Sequence, residues 1–536
     1  MNEGLREGWG KPLVRLGRQT WLLLVILLVF GLQASSLTVQ SLWRDEVDAI
    51  CFAHQFPHML AQALSPQRTA PLVLPITCPP SPLHVAKSPE GGGLSPLAQV
   101  VAATIRHNGP FYHFAFRAWI ALAGCSEYAA RFFSLCFGIL MIPLTYALGN
   151  RLMGRLEGGL AALLVAASPY LAWYNQEVKM YSLVPALALL SLYALRRAAD
   201  EGGIWWAVHV VVTSLSFYTH VWCALLVPVQ LILLVAWWPR WRQRWPWVLV
   251  GMGLITLPYL PLALWQSHAA FIEKETGFGD YSLGQMLAIL IDRWSLGITG
   301  WGGFGGIIAC GELALLGLAS RPNPAKEPGW SRLGLVAWIV VPVTGIWFIS
   351  QWQPLFTDRY LIWSAPAFYL LIAAGLAFLW RRTSPPDIRM LAVVLVIFAA
   401  NLAAQATLPL KSDVRAAAAY LEERYRPGEM VLFHIPYVRY TFEYYFTVQD
   451  YAWREGVYTN HRREDGEYSL SDADATAQIA GDLQGCPAVW LVLSEAPLWD
   501  ERGLVQGWLE GHGERLEEAH FAHVSLYYYR LGNSWP

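Results

Sequence analysis

Several short segments contain acidic and basic residues of the kinds that carry out proton transfer and anion binding. Asp45 and Glu46 lie in "LWRDEVDAI", just after a long apolar run. An ionised carboxylate can take a proton from a hydroxyl group, and preorganised cationic donors can stabilise an anion that forms in the same reaction. The other candidates come from three later segments and are Tyr174, Asn175, Glu177, Lys179, Tyr181, His220, Asp358, Arg359 and Tyr360.

Each of these residues also has a purely structural explanation. Acids that follow an apolar segment are usually solvated. An Arg-Tyr pair such as Arg359-Tyr360 is typical of an anchor at a membrane surface, and a histidine such as His220 commonly bonds across membrane helices. A functional interpretation therefore depends on whether the fold brings the candidates to one side.

The composition indicates a membrane protein with many spans. The 536 residues are 55% hydrophobic and 14% charged, and the mean hydropathy is +0.34. A net charge of −1 argues against a nucleic-acid-binding surface. The cysteines are scattered without zinc-site spacing. Cys51 and Cys78 fall in one predicted external loop, where a disulfide between them is one alternative.

Apolar runs of roughly 17 to 25 residues, the length that crosses a bilayer core of about 30 Å, recur along the chain. Four basic residues within 6–18 precede the first run, so its N-terminal side is expected in the cytoplasm. We predict about eleven transmembrane helices, near residues 19–40, 128–150, 157–173, 180–196, 204–221, 222–238, 247–266, 299–319, 333–350, 360–380 and 389–408.

Short basic segments separate these predicted spans in pairs, as expected for cytoplasmic connections. They lie at residues 149–155, 195–203, 237–245, 320–332 and 380–389. The run 108–124 contains His113 and Arg117 and is too short to cross, so we predict an amphipathic helix in the outer interface. With this topology, all candidate residues lie on the external side.

The chain is expected to form two domains. Residues 1–410 are predicted to be the transmembrane domain, with a long first external loop at 41–127. From residue 411 the sequence reads as a soluble amphipathic helix followed by the strand-like runs "MVLFHI", "AVWLVLS" and "VSLYYYRL". Residues 411–536 are therefore expected to be a small α/β domain outside the cytoplasm.

The ordered segments "LWRDEVDAI", "HNGPFYHFAFRAWIALAG", "SPYLAWYNQEVKMYSL", "FYTHVW" and "FTDRYLIWSAPAFYLLIA" carry a resemblance over about 400 residues. Together they resemble bacterial members of the glycosyltransferase C superfamily (glycosyltransferase family 39-like), related to protein O-mannosyltransferases and lipid A aminoarabinose transferases. The resemblance implies a helical enzyme of the cytoplasmic membrane that transfers a hexose or pentose from a polyprenyl-phosphate donor lipid on the outer face. The acceptor would be a protein, a lipid or a glycan.

The resemblance also implies roles for individual residues. Asp45 matches the family's base in the first external loop, and Glu46 is its neighbour. Arg359 is expected to bind the donor phosphate, because a guanidinium can grip phosphate oxygens with two donors. The other expected donor-site residues are His220, Lys179, Glu177, Tyr181 and Tyr360.

The family's His-Pro-Pro or Lys-Pro-Pro element is replaced here by "HNGPFYH". His107 and His113 in this element are assigned, with Asp48, to the acceptor side or the entrance of the site. Carboxylates of the first two external loops could hold a divalent cation, although no dedicated ligand spacing is visible. The rival interpretations are a transporter or flippase of a lipid-linked sugar and a non-catalytic relative that acts in assembly. Transporters tend to have internal repeats and midplane polar helices, and neither is evident.

Overall fold

The computed structural model describes residues 20–53, 109–270, 278–320, 331–382, 388–463 and 465–532. The chain divides into two compact units. The first comprises Met1–Leu37 and Leu97–Thr407, and the second comprises Thr38–Pro96 and Leu408–Pro536.

The first unit is helical throughout its described residues. Its α-helices are α1 (Thr20–Ser35), α3 (Pro110–Ala123), α4 (Glu127–Leu152), α5 (Arg155–Ala167), α6 (Pro169–Asn175), α7 (Leu183–Glu201), α8 (Ile204–Thr219), α9 (Leu226–Ala236), α10 (Trp238–Trp241), α11 (Trp245–Ala270), α12 (Leu283–Leu296), α13 (Gly303–Ala319), α14 (Ser331–Ser350), α15 (Ala365–Arg382) and α16 (Arg389–Thr407). Short 3₁₀ helices occupy Val221–Leu225, Arg242–Arg244 and Asp358–Ser364.

By length and composition, four helices in the described part of the chain can cross a membrane, or up to six if each of two bent helix pairs is one span. Three shorter apolar helices, α1, α8 and α13, accompany them. The chain is therefore a multi-span membrane protein. Each predicted span falls on helical residues, although the span 157–173 covers two helices, α5 and α6, that meet at a bend of 57°. The number of eleven crossings stays a prediction. The predicted interface segment 108–124 contains α3, whose buried face carries Tyr112, His113, Phe116 and Ile120.

Ion pairs link three of the five basic segments that were predicted to be cytoplasmic, and join a fourth to Glu157, two residues beyond the segment 149–155. The pairs, measured from guanidinium nitrogen to carboxylate oxygen, are Arg151–Glu201 at 2.8 Å, Arg240–Asp200 at 3.0 Å and Arg381–Glu157 at 2.6 Å. These contacts place the four segments at one end of the helix bundle, as the pairwise arrangement of spans requires.

Glycines allow α13 and α15 to cross at close range. A Cβ atom on Gly317 would collide with the carbonyl oxygen of Leu371, and one on Gly375 would collide with that of Leu313. Small residues at such a crossing let two backbones approach closely, which is a common basis of helix association in membranes. The crossing fixes α15, whose span from Asp358 to Arg382 is almost entirely buried.

The second unit contains a helix at 44–53 (α2) and the C-terminal α/β domain. The elements of that domain are α17 (Val414–Glu422), β1 (Met430–His434), α18 (Val438–Tyr445), β2 (Ala452–Glu455), α19 (Asp472–Asp482), β3 (Ala488–Ser494), α20 (Leu504–His512), β4 (Gly513–Phe521) and β5 (Val524–Leu531). The strands form one mixed sheet in the order β2-β1-β3-β5-β4. β1 pairs in parallel with β2 and β3, and β5 pairs antiparallel with β3 and β4.

Helices cover both faces of this sheet, so its inner strands are buried on both sides. Val431 and Phe433 of β1 pack in one cluster with α17 and α18. Leu432 of the same strand packs in a second cluster with α19 and α20. The three predicted strand-like runs correspond to β1, β3 and β5. The sequence analysis missed the edge strands β2 and β4, because their side chains are largely exposed and polar.

The segment 38–53 belongs to the unit that contains the C-terminal domain, whereas the sequence analysis grouped it with the transmembrane domain. Polar side chains of the segment bond to the start of that domain. The Gln40 amide donates to the carbonyl of Leu408 at 2.7 Å and accepts from the backbone N–H of Leu410 at 3.0 Å. The Ser41 hydroxyl donates to Asp413 at 2.9 Å. These contacts join residues that are more than 360 positions apart in the sequence, so no local pattern predicted them.

Candidate functional site

Four of the six predicted donor-site residues meet at the start of α15. Arg359 and Tyr360 lie in the 3₁₀ helix Asp358–Ser364, which leads directly into α15. The guanidinium of Arg359 lies 5.7 Å from the centre of the Tyr181 ring. This is within the range of a cation–π interaction, which strengthens where water is excluded. The ring of Tyr181 is buried, and its hydroxyl group adds a polar end to an apolar wall.

His220 joins the same group of rings. Its imidazole centre lies 6.4 Å from that of Tyr181 and 5.2 Å from that of Tyr360. It occupies the break between α8 and the 3₁₀ helix Val221–Leu225, where its side chain caps the latter. Three segments far apart in sequence therefore bring Tyr181, His220, Arg359 and Tyr360 together. This set is called the Arg359 cluster below.

Two tyrosines on α6 and an aspartate extend the Arg359 cluster. The hydroxyl of Tyr174 donates a hydrogen bond of 3.2 Å to Asp358. The Tyr174 ring packs edge-on against Tyr181 at 5.5 Å and against Tyr170 at 5.1 Å. These contacts tie the turn that follows α6 to the start of α15. Tyr174 and Asp358 were among the residues expected on the external side, but no role was predicted for them, and Tyr170 in "SPYLAWYNQEVKMY" was not predicted at all.

Glu177 and Lys179 lie in the connection between α6 and α7. The Glu177 side chain is buried, and Lys179 is half-buried. The backbone N–H of Lys179 donates to the Glu177 carbonyl at 2.8 Å, and its own carbonyl accepts from the Ser134 hydroxyl at 3.4 Å. The connection that carries both residues is thus held against α4. Binding of the donor by Glu177 and Lys179 stays a prediction.

The acidic residues of the first loop lie in the second unit. Asp45, Glu46 and Asp48 are on α2, which begins after Trp43. Glu46 is buried, accepts from the backbone N–H of Trp43 at 3.3 Å, and accepts from the ammonium of Lys411 at 2.9 Å. A glutamate three residues after the N-cap commonly caps a helix in this way. Glu46 therefore has a structural role, and its predicted catalytic role stays a prediction.

Asp45 and Asp48 are half-buried on the same helix. Asp48 forms an ion pair of 3.7 Å with Arg44, one turn earlier. A carboxylate in the first turn of a helix, where Asp45 lies, interacts favourably with the helix dipole. The role of Asp45 as the base stays a prediction.

Of the two histidines assigned to the entrance, only His113 lies in the described part of the chain. His107 lies outside the described residues. His113 is buried on α3, and its ring packs edge-on against Tyr112 at 5.5 Å. Cys78 also lies outside the described residues, so its pairing with Cys51 stays an open alternative. The described part of the chain contains no cluster of three or more His, Cys, Asp or Glu side chains arranged to hold a metal ion.

Gly109 lies in the "HNGPFYH" element and packs against the residues just before His220. Its φ of 108° is a conformation that favours glycine. A Cβ atom there would collide with the carbonyl oxygen of Tyr218 and would lie 2.6 Å from the carbonyl carbon and oxygen of Thr219. The absence of a side chain therefore lets the start of α3 pack against the residues that immediately precede His220.

We expect Gly109→Ala to weaken donor-lipid binding by about tenfold or more, because a shift of residues 218–219 moves the His220 ring, and misplacement by about 1 Å can cost as much as a hundredfold. Gly124→Ala is the matched control. Gly124 ends the same helix with a φ of 82°, and a Cβ atom added to it would have no other atom within 4 Å. Lipid binding by both purified variants tests this expectation. Equal effects would contradict it, because backbone strain alone would then explain them.

Residues 107–265 match the sequence profile of the family described as dolichyl-phosphate-mannose-protein mannosyltransferase. This segment includes α3 to α10 and most of α11, with Glu177, Lys179, Tyr181 and His220. The predicted family resemblance is confirmed. No curated protein sequence matches the chain.

The fold of the chain is similar to that of solved relatives. The crystal structure of ArnT from Cupriavidus metallidurans in the apo state superposes with a TM-score of 0.57 at 11% identity, covering 96% of this chain and 98% of that one. The structure of the same protein bound to undecaprenyl phosphate gives a TM-score of 0.54 at 13% identity, covering 95% and 98%. The chain therefore has the fold of these membrane proteins over nearly its whole length.

Proposed function

We propose that this protein is an inverting glycosyltransferase that moves a sugar from a polyprenyl-phosphate donor to an acceptor hydroxyl on the outer face of the cytoplasmic membrane. The observation that carries the proposal is the Arg359 cluster, in which a guanidinium and an imidazole lie beside the buried ring of Tyr181 and the half-buried ring of Tyr360. Such a site suits an anionic group attached to an apolar chain, because cationic donors act strongly where water is scarce.

The family match and the fold support this choice of donor. The profile that matches residues 107–265 belongs to a family named for transfer from dolichyl-phosphate-mannose, a polyprenyl-phosphate sugar. ArnT of the same fold was crystallised with undecaprenyl phosphate. We extend the lipid-phosphate donor class to this chain, with Arg359 as the main phosphate ligand and His220, Lys179 and Tyr360 as its neighbours.

The reaction is a single displacement. Asp45 takes the proton of the acceptor hydroxyl, and the acceptor oxygen forms a bond to the anomeric carbon of the sugar. The bond between that carbon and the phosphate oxygen breaks, and polyprenyl phosphate leaves as an anion. Arg359 stabilises the charge that develops on the leaving phosphate, and the sugar inverts at its anomeric carbon. Glu177 and Tyr181 orient the sugar, and Asp48 and His113 serve the acceptor side.

A transfer assay tests the proposal. The full chain purified in detergent is incubated with labelled polyprenyl-phosphate hexoses and pentoses, together with protein, lipid and glycan fractions of an envelope extract as acceptors. We expect acceptor-dependent release of polyprenyl phosphate and appearance of label in one fraction. A transporter, a flippase or a non-catalytic relative cleaves no donor. Binding of the donor without any cleavage across all acceptor fractions would therefore overturn the proposal.

The site and the C-terminal domain are proposed to be extracytoplasmic. The basic segments joined by ion pairs would then face the cytoplasm, where short loops collect Lys and Arg. Protease added to sealed, right-side-out vesicles should remove the domain that begins near residue 411. A tag inserted in the basic segment 195–203 serves as the control and should be protected. Protection of the domain with digestion of the tag would reverse the proposed orientation.

A further inference from the structure

His220 holds one ring nitrogen in a hydrogen bond that fixes its protonation state. The backbone N–H of Trp222 donates to Nδ1 of His220 at 3.3 Å. A nitrogen that accepts a hydrogen bond must offer a lone pair, so Nδ1 carries no proton. A neutral imidazole has one N–H group, which must then be on Nε2, whereas an imidazolium would have no acceptor at all.

The other nitrogen has no partner within the described residues. The His220 side chain is 1% exposed, and its Nε2 atom is buried without a hydrogen bond. Buried polar groups nearly always form a hydrogen bond, and a buried group left without one costs free energy. An unpaired buried donor at the centre of a ring cluster therefore points to a ligand atom that accepts from it.

The neighbours of His220 indicate the charge of that ligand. Its ring lies between those of Tyr181 and Tyr360, and Tyr181 also carries the guanidinium of Arg359 at 5.7 Å. The guanidinium supplies a positive charge to this region, and the nearby Asp358 carboxylate already accepts a hydrogen bond from the Tyr174 hydroxyl at 3.2 Å. An N–H donor beside a guanidinium matches an oxygen of an anion, and the bond to a charged acceptor is stronger than one between neutral groups.

We propose that His220 acts as a neutral imidazole whose Nε2–H donates to a phosphate oxygen of the lipid donor, with the Trp222 backbone N–H selecting this tautomer. The inference rests on the proposed function for the identity of the anion. It adds a positioning device: the residue that caps the 3₁₀ helix Val221–Leu225 also orients a donor toward the leaving phosphate. No proton transfer by His220 is involved, so its contribution to binding does not depend on an imidazolium.

Two substitutions separate the two nitrogens. Asparagine retains an acceptor near the Nδ1 position, so His220→Asn keeps the cap on Trp222 but loses the donor. Glutamine places an amide N–H near the Nε2 position, so His220→Gln keeps the donor and loses the cap. With undecaprenyl phosphate as the probe and the full chain in detergent, we expect about 10- to 100-fold weaker binding by His220→Asn. His220→Gln should bind within about fivefold of the unchanged protein. The matched control is His520→Asn, which makes the same change at an exposed histidine of β4.

The tautomer is measured separately. ¹⁵N-histidine spectra of the full chain in lipid, with the His220 signals identified by their loss in His220→Gln, should show a protonated Nε2 and an unprotonated Nδ1. A protonated Nδ1, or binding by His220→Asn equal to that of the control, would overturn this inference and leave the proposed function standing. Failure of the unchanged protein to bind undecaprenyl phosphate would instead overturn the proposed function and the inference with it.

Discussion

Asp45→Asn is expected to insert, fold and bind donor lipid while turnover falls at least about a hundredfold, because loss of a general base typically costs about 10² to 10⁴ in rate. The amide keeps the shape of the carboxylate but cannot accept the proton of the acceptor hydroxyl. Asp45 is half-buried in the first turn of α2, where a carboxylate interacts favourably with the helix dipole. The measurement is single-turnover transfer with saturating donor, with lipid binding measured in parallel.

Two other acids on α2 serve as controls for Asp45. Asp48→Asn makes the same chemical change one helical turn away, where the carboxylate pairs with Arg44, and turnover should fall much less. Glu46→Gln should instead lower the thermal midpoint, because it leaves the buried ammonium of Lys411 without its carboxylate partner. Near-normal turnover in Asp45→Asn together with loss of transfer in either control variant would show that Asp45 is not the base.

Arg359→Lys is expected to weaken donor binding about 10- to 100-fold although the charge is retained, since a lysine cannot form the bidentate contact that a guanidinium makes with phosphate. The substitution also removes the planar group that lies over the Tyr181 ring. The dissociation constant for undecaprenyl phosphate is the direct measurement. The KM for the sugar donor should rise in parallel.

Arg293→Lys is the matched control for Arg359→Lys. Arg293 is also a half-buried arginine of the first unit, and its guanidinium reaches the carbonyls of Gly297 and Ile298 at 3.5 and 3.4 Å. Since no role in the site is assigned to it, donor binding should be close to that of the unchanged protein. If both variants bind the lipid normally, Arg359 is an interfacial anchor, and the phosphate is held by other groups.

Local patterns were sufficient to predict most of the helices and the inner strands. An apolar run of membrane-spanning length can be recognised without knowing what it packs against, because burial of each apolar residue in the bilayer is itself favourable. The same holds for β1, β3 and β5, whose continuous apolar runs match burial on both faces of the sheet. The missed helix α12 contains Asp292 and Arg293 within an apolar sequence, so hydropathy alone did not mark it.

The order of the motifs was also sufficient to nominate Arg359, His220, Tyr181 and Tyr360, which the fold then brings together. Their types and their predicted common side depended only on the sequence and on the distribution of basic segments. The bond from Tyr174 to Asp358 was not predictable in this way. It depends on the bend between α5 and α6 and on the position at which α15 begins, and neither follows from hydrophobic periodicity.

Sequence alone thus determined the membrane class, the family resemblance and the residue types of the site, because these depend on composition and on short motifs. Only the tertiary structure decided that Glu46 pairs with Lys411, that Gly109 packs against residues 218–219, and that the backbone N–H of Trp222 donates to Nδ1 of His220. The physical reason is that hydrogen bonds and close packing act over a few ångströms. They depend on which atoms distant parts of the chain bring into contact, and many folds could place the same motifs differently.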